Sequence, residues 1–282
     1  MSPGRLLWQR FTAHRAALGA LGLLLLVVLA LLIGPALSPH AVDSIDFDGE
    51  WATAPSLVNA HWFGTDSLGR DVFVRALSGG RISLAVALAA TLVSLLIGVS
   101  YGAIAGYFGG AIDEWMMRAV DILYALPFLF LVILLMVLFG RHVVLVFVAI
   151  GAINWLDMAR VVRGQVLSLK RREFVLAAHT QGMGDGAILT RHVLPNLLGV
   201  VLVTVTLTIP QVILTESFLS FLGLGVQEPA TSWGTLINEG AKEMQTTPWA
   251  LLFPASLMAL TLLCFNLIGD ALRDALDPRE SP

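Results

Sequence analysis

Charge is scarce in this chain and cysteine is almost absent. Only 13% of the 282 residues are Asp, Glu, Lys or Arg, roughly half the share of an ordinary soluble domain. Cys264 is the single cysteine, which excludes an intrachain disulfide and any Cys-based metal site. It sits in an apolar run and reads as a small buried hydrophobe. The formal net charge is −3, so the basic excess that a nucleic-acid partner requires is missing. Nucleotide and catalytic signatures are missing too. There is no Gly-x4-Gly-Lys-Ser/Thr loop, no His-Glu-x-x-His and no metal-ligand spacing. Neither catalytic nor metal-binding residues are expected, and an intramembrane protease or transferase would have Asp157 and Glu216 but no nucleophile beside them.

What the chain has instead is apolar length. Hydrophobic residues make up 57% of it, mean hydropathy is +0.81, and several uncharged runs are too long for the core helices of a soluble protein. These features define an all-α polytopic membrane protein. Six spans are expected, near 16–39, 81–110, 122–140, 143–159, 193–215 and 248–268. The first follows Arg5, Arg10 and Arg15 and is longer than a signal-peptide core, so it reads as a retained helix. In the second, Gly98, Gly102, Gly106 and Gly109–Gly110 recur near helical spacing and predict close packing against a neighbour. Pro127 is expected to kink the third span and Pro210 to bend the fifth. Six spans place both termini on one side. With the termini in the cytoplasm, 12 of the 17 Lys and Arg residues fall inside and 5 outside, the bias that sets orientation in bilayers.

The polar stretches between the spans carry the functional candidates. Residues 40–80 form the first outside loop. Its string from His61 to Val72 predicts turns at Gly64 and Gly69 and a local ion-pair network of Asp66, Arg70 and Asp71. A short inside turn holds Asp113, Arg118 and Asp121, which are expected to pair near the membrane face. Asp157 either pairs with Arg160 at the cytoplasmic interface or lies deeper, facing a partner or an aqueous path. Thr204, Thr206 and Thr208 share no helix face, and each hydroxyl can bond its own backbone. Glu216, followed by Phe218 and Phe221, is read two ways. It lines the outer mouth of a path, or it is a helix-end residue pairing with Arg70, Arg75 or Arg81. Residues 226–246, with Trp233 and Glu239, suit a wet outside surface.

The chain is organised around the polar interruption Arg160 to Asn196, which holds six of the 17 basic residues. Glu173 to Leu189 lacks proline and is expected to form one short helix, with Gly182 and Gly184 permitting close approach by another surface. Pro195 suits the first turn of the next helix. The pattern Ala177-Ala178, three residues, Gly182, then Leu194-Pro195 resembles the cytoplasmic loop of permease subunits of binding-protein-dependent ABC importers. The stretches 148–174, 216–225 and 265–278 are similar to the second permease subunit of the peptide-importing branch.

That resemblance implies the type I ABC importer permease fold. It divides the chain into a cytoplasmic segment 1–15, a six-helix transmembrane domain 16–275 containing the loops 40–80 and 160–196, and a cytoplasmic tail 276–282. It also implies a coupling helix over 173–189 that seats in an ATPase, with Glu173, Ala177, Ala178, Gly182, Asp185, Arg191, His192 and Pro195 at that contact. Glu216, Phe218 and Phe221 would lie on the translocation path or outer gate, and Asp113, Arg118, Asp121, Asp157 and Arg160 would support the inner face. The implied partners are a second, homologous permease subunit, two ATP-binding subunits and an extracytoplasmic peptide-binding protein, working in a bacterial inner membrane. ATP and Mg2+ would sit on the ATPases and no cofactor on this chain. The substrate would be an oligopeptide, with dipeptide, nickel and glutathione as alternatives. From the residues alone, an ion-coupled secondary transporter or channel and a purely structural protein remain rivals. The polar central loop suits an external motor and has no obvious place in an ion-coupled carrier.

Overall fold

The computed structural model describes residues 9–45, 51–140, 143–228 and 230–276. The first eight residues, the acidic stretch 46–50, Arg141 and His142, Pro229 and the residues beyond 276 lie outside these. The described residues include the helices α1 (Arg15–Leu37), α2 (Val72–Phe108), α3 (Gly110–Tyr124), α4 (Phe128–Phe139), α5 (Val143–Leu169), α6 (Glu173–Thr180), α7 (Asp185–Ile188), α8 (Leu194–Phe221), α9 (Trp233–Lys242) and α10 (Pro248–Leu276). A π-helical turn, Leu189–Val193, joins α7 to α8.

Four helices, α1, α2, the α7–α8 run and α10, are long and apolar enough to cross a membrane. The bent pair α3–α4 makes a fifth if counted as one span. These helices turn large side chains outward, such as Leu26 at 64% exposure and Leu96 at 63%. That much bare leucine along long helices fits a surface solvated by lipid tails.

Several boundaries differ from the sequence reading. The second helix starts at Val72 rather than Arg81, because Asp71 caps it by accepting from the Val74 amide at 2.8 Å. Arg75 therefore lies on a helix and not in the outside loop. The stretch 110–121 is a helix rather than a turn. Pro127, with no amide hydrogen to continue α3, sits at the N-cap of α4, and the two helices meet at 78°. α5 runs on to Leu169, so Arg160 and Arg163 are helical. α8 passes through Pro210. Its threonines bond their own backbone as expected: Thr204 Oγ1 donates to the Val200 carbonyl at 2.8 Å and Thr208 Oγ1 to the Thr204 carbonyl at 2.7 Å.

The helices pack around two buried layers. One joins Ala87 and Ala90 of α2, Val132 of α4, Ile150 of α5, Val212 and Ile213 of α8 and Trp233 of α9. The other joins Tyr107, Met158, Val162, Val166, Val175, Ile188 and Leu197 around the central segment. α1 lies on α10 through Ala17, Ala20, Cys264 and Ala271. The glycines of α2 serve two purposes. A methyl group at Gly98 would stand 2.6 Å from Met158 Cβ, and one at Gly102 would collide with the Ala159 carbonyl, so these two set the close approach of α2 to α5. Gly109 and Gly110, at φ 68° and 55°, make the corner into α3.

Candidate functional site

The central segment is two-faced. Val175, Ala178, Ile188 and Val193 are buried against α2, α5 and the start of α8. The spacing of Val175 and Ala178 puts them on one side of α6, with Phe174, Leu176 and Ala177 left outside. Phe174 and Leu176 are 40% and 52% exposed. Of the expected contact residues, Glu173, Ala177, Gly182, Asp185, Arg191 and Pro195 are exposed and His192 is partly buried. Ala178 faces the bundle and is corrected to a packing residue.

The expected single helix over 173–189 is also corrected. It breaks at Gln181–Gly184, where Gly182 takes φ 77°. A methyl group at Gly182, Gly184 or Gly186 would meet nothing within 4 Å. Gly182 is demanded by its backbone conformation. Contacts within this chain do not demand the other two, and their bare surface leaves room for a closely seated neighbour. Pro195 lies in the first turn of α8.

Sequence reasoning misses Tyr107. From the end of α2 its hydroxyl donates to Asp185 Oδ1 at 2.9 Å and lies 3.3 Å from His179 Nε2. Lys170 Nζ donates to the Tyr107 carbonyl. The longest helix is thereby tied to both halves of the central segment. A tyrosine just before a Gly-Gly corner was the only available signal.

The inner-face acids pair differently from expectation. Asp113 accepts from Arg163, with Nη2 at 2.6 Å, and Asp121 accepts from Arg160 at 2.8 Å. Arg118 is exposed and makes no ion pair among the described residues. Arg160 also stacks over the Tyr124 ring at 4.3 Å, so it is not the partner of Asp157.

Toward the other end, Glu216 is fully buried and pairs with no arginine. It accepts from Ser83 Oγ at 3.1 Å and Ser220 Oγ at 2.7 Å. Ser83 Oγ in turn accepts from the Trp233 amide, and the Trp233 indole donates to the Ala76 carbonyl at 2.9 Å. Trp233, expected on a wet surface, is fully buried. Phe218 and Phe221 are each 52% exposed. Phe218 stands two positions after Glu216, which puts them on nearly opposite helix faces, so the three expected gate residues do not converge.

The loop 51–71 folds over this end. Gly64 and Gly69 make its turns at φ 76° and 77°. Phe63 stacks on Phe253 at 3.9 Å, and the Trp249 indole donates to the Thr65 carbonyl. Asp66 accepts from Arg70 Nε at 2.7 Å and Asp71 meets His61 Nδ1 at 2.7 Å. Arg70 also reaches Glu228, and Arg75 reaches Glu239. Burial pulls the Arg70 guanidinium down, but Glu228, Asp66 and Glu239 outweigh it and hold it above its ordinary value. Burial lifts the Glu239 carboxyl despite Arg75, while the bond to Arg70 keeps Glu228 low. His40, His61 and Asp71 bring three ligand-type atoms within 4.8 Å of one another, which sequence spacing did not show. Their imidazoles stack 4.1 Å apart at 17°. Nearly parallel rings do not converge their lone pairs on one ion, so this is a packed cap.

The family described as binding-protein-dependent transport system inner membrane component matches residues 98–282. The N-terminal TM domain of oligopeptide transport permease C matches residues 2–55. The chain is 53% identical to the oligopeptide transport system permease protein OppC of Escherichia coli strain K12, over 98% of this chain and 93% of that protein. It is 48% identical to the dipeptide transport system permease protein DppC of Bacillus subtilis strain 168, over 96% and 84%. It is 40% identical to the glutathione transport system permease protein GsiD of Pectobacterium atrosepticum, over 99% and 92%.

Proposed function

Because the chain belongs to the family of binding-protein-dependent transport system inner membrane components, we propose that it is a non-catalytic permease subunit of an ATP-driven oligopeptide importer. It sits in a bacterial inner membrane with six spans and both termini in the cytoplasm. A second, homologous permease subunit completes the path. An extracytoplasmic binding protein delivers peptide, and two ATPase subunits carry the ATP and Mg2+. Oligopeptide is preferred to dipeptide or glutathione as substrate, after the oligopeptide permease that is 53% identical over nearly the whole chain.

The observation that carries the coupling role is the two-faced central segment. Its inner face is packed into the bundle, while its outer face offers Phe174, Leu176 and three glycines with open space above them. Apolar side chains beside bare backbone suit a protein surface. An ATPase seated there moves α6 and α7, and the Tyr107 bonds carry that motion into α2. This is a two-state element biased at one site and read at another.

Gly182→Trp tests it. Bulk at this exposed turn is expected to abolish co-purification of the ATPases and peptide uptake while the chain still inserts. Gly182→Asn, which tolerates positive φ, separates backbone strain from bulk and is expected to retain both. Normal uptake and normal co-purification in Gly182→Trp would overturn the assignment.

A further inference from the structure

A cavity of about 210 Å³ opens between α5 and α8, against the break between α3 and α4. Asn154 and Asp157 face it from α5, Gln211 and Thr215 from α8, and Tyr124 and Phe128 from the two sides of the break. Asp157 lies three residues before Arg160 on α5, about 4.5 Å along the helix to the membrane side of the Arg160–Asp121 pair. A carboxylate on the membrane side of that charged layer is costly unless it has a partner or faces water. Asp157 has no hydrogen bond or ion pair among the described residues, and the nearest arginine in sequence is taken by Asp121 and the Tyr124 ring. It is half-buried and open to the cavity.

The rest of the lining adds neutral acceptors, with the Gln211 amide and the Tyr124 hydroxyl able to donate as well as accept. The Asn154 amide donates to the Ile150 carbonyl at 3.2 Å, which leaves its oxygen able to accept. The Thr215 hydroxyl donates to the Gln211 carbonyl at 2.8 Å, with its lone pairs remaining. With the carboxylate and the ring faces of Tyr124 and Phe128, this is a setting for a positively charged group with several N–H donors. A primary ammonium has that chemistry.

We propose that this cavity is a stage of the translocation path and that Asp157 receives the primary ammonium of a passing peptide, from its amino terminus or from a lysine. The proposal rests on the importer reading above, and it assigns the substrate contact that the coupling segment does not.

Two measurements on the intact complex in proteoliposomes test it. In the first, uptake is compared between wild type, Asp157→Asn and Asp157→Glu. The peptides are trialanine, Ala-Lys-Ala, N-acetyl-Ala-Lys-Ala and N-acetyl-trialanine, with rates normalised to binding-protein occupancy. Asp157→Asn is expected to slow the peptides that carry an ammonium by about tenfold, the worth of one charged hydrogen bond. It should spare N-acetyl-trialanine, and Asp157→Glu should restore much of the loss. Whether N-acetyl-Ala-Lys-Ala is slowed tells lysine from the amino terminus. In the second, which needs no delivery by the binding protein, a cysteine at Gln211 is reacted with cationic and anionic methanethiosulfonates. The cationic reagent is expected to react faster, and Asp157→Asn to erase the preference.

Equal uptake of every peptide by Asp157→Asn, an equal loss for every peptide, or no charge preference at the cysteine would each overturn the proposal. So would loss of the second permease from the purified Asp157→Asn complex, which would make the carboxylate a subunit contact. If the wild-type complex takes up no peptide at all, the importer reading itself fails, a result separate from any of these.

Discussion

At the scale of single residues, carboxylates show how little side-chain type says about role. Asp157 and Glu216 looked alike in the sequence, each an acid at an apolar run. One faces a cavity without a partner, and the other is enclosed by serine hydroxyls from three parts of the fold, Ser83, Ser220 and Ser232. Ser220 is one turn along the same helix, but no local pattern announced Ser83, which stands 133 positions from Glu216. Glu216→Gln keeps an acceptor oxygen for the network and is expected to leave thermal unfolding of the purified complex nearly unchanged. Glu216→Ala leaves buried hydroxyls unpaired, at about 1–3 kcal/mol for each one left unsatisfied, and is expected to lower the unfolding temperature by several degrees. A melting curve of Glu216→Ala that overlays the wild type would show the network to be solvated.

At the scale of elements, the informative units are short. α6 and α7 hold 8 and 4 residues, too few to be stable alone. They stand because Val175 and Ile188 are buried and because Tyr107 pins the turn between them. Tyr107→Phe removes the bond to Asp185. That carboxylate is more than half exposed, so the stability lost is on the order of 1 kcal/mol or less. The expected effect is therefore on coupling. ATPases still co-purify, while peptide taken up per ATP hydrolysed falls several-fold, measured in proteoliposomes. Unchanged stoichiometry would confine the tyrosine to local packing. The outer elements were less legible than the apolar ones. Hydropathy located the long helices because lipid-facing residues dominate them. It missed the start of α2, which a capping carboxylate decides, and the helix α3, whose polar face resembled a turn. The break at Gly182 was missed because a glycine inside a proline-free run is compatible with either a helix or its end.

For the whole molecule, orientation is the premise on which both site assignments stand, and it can be tested without any transport assay. The sole native cysteine is buried at 1% exposure between α10 and α1, so it should remain silent to water-soluble thiol reagents in the folded protein. Leu57 and Val58 in the outer loop are 86% and 93% exposed, and Leu176 on the central segment is 52% exposed. Each can carry a reporter cysteine at little structural cost. On the proposed orientation, the excess of arginine and lysine around the central segment would hold it in the cytoplasm and the acidic outer loop would cross. A cysteine at Leu57 in intact spheroplasts is expected to react with an impermeant maleimide within minutes, and one at Leu176 only after the membrane is opened. The two belong to opposite ends of α2, which at 37 residues spans about 55 Å, longer than the hydrocarbon layer is thick. No tilt of that helix brings both reporters to one side. Labelling of Leu176→Cys from outside would therefore invert the molecule, place the glycine-bare surface away from any cytosolic motor and remove the basis for coupling.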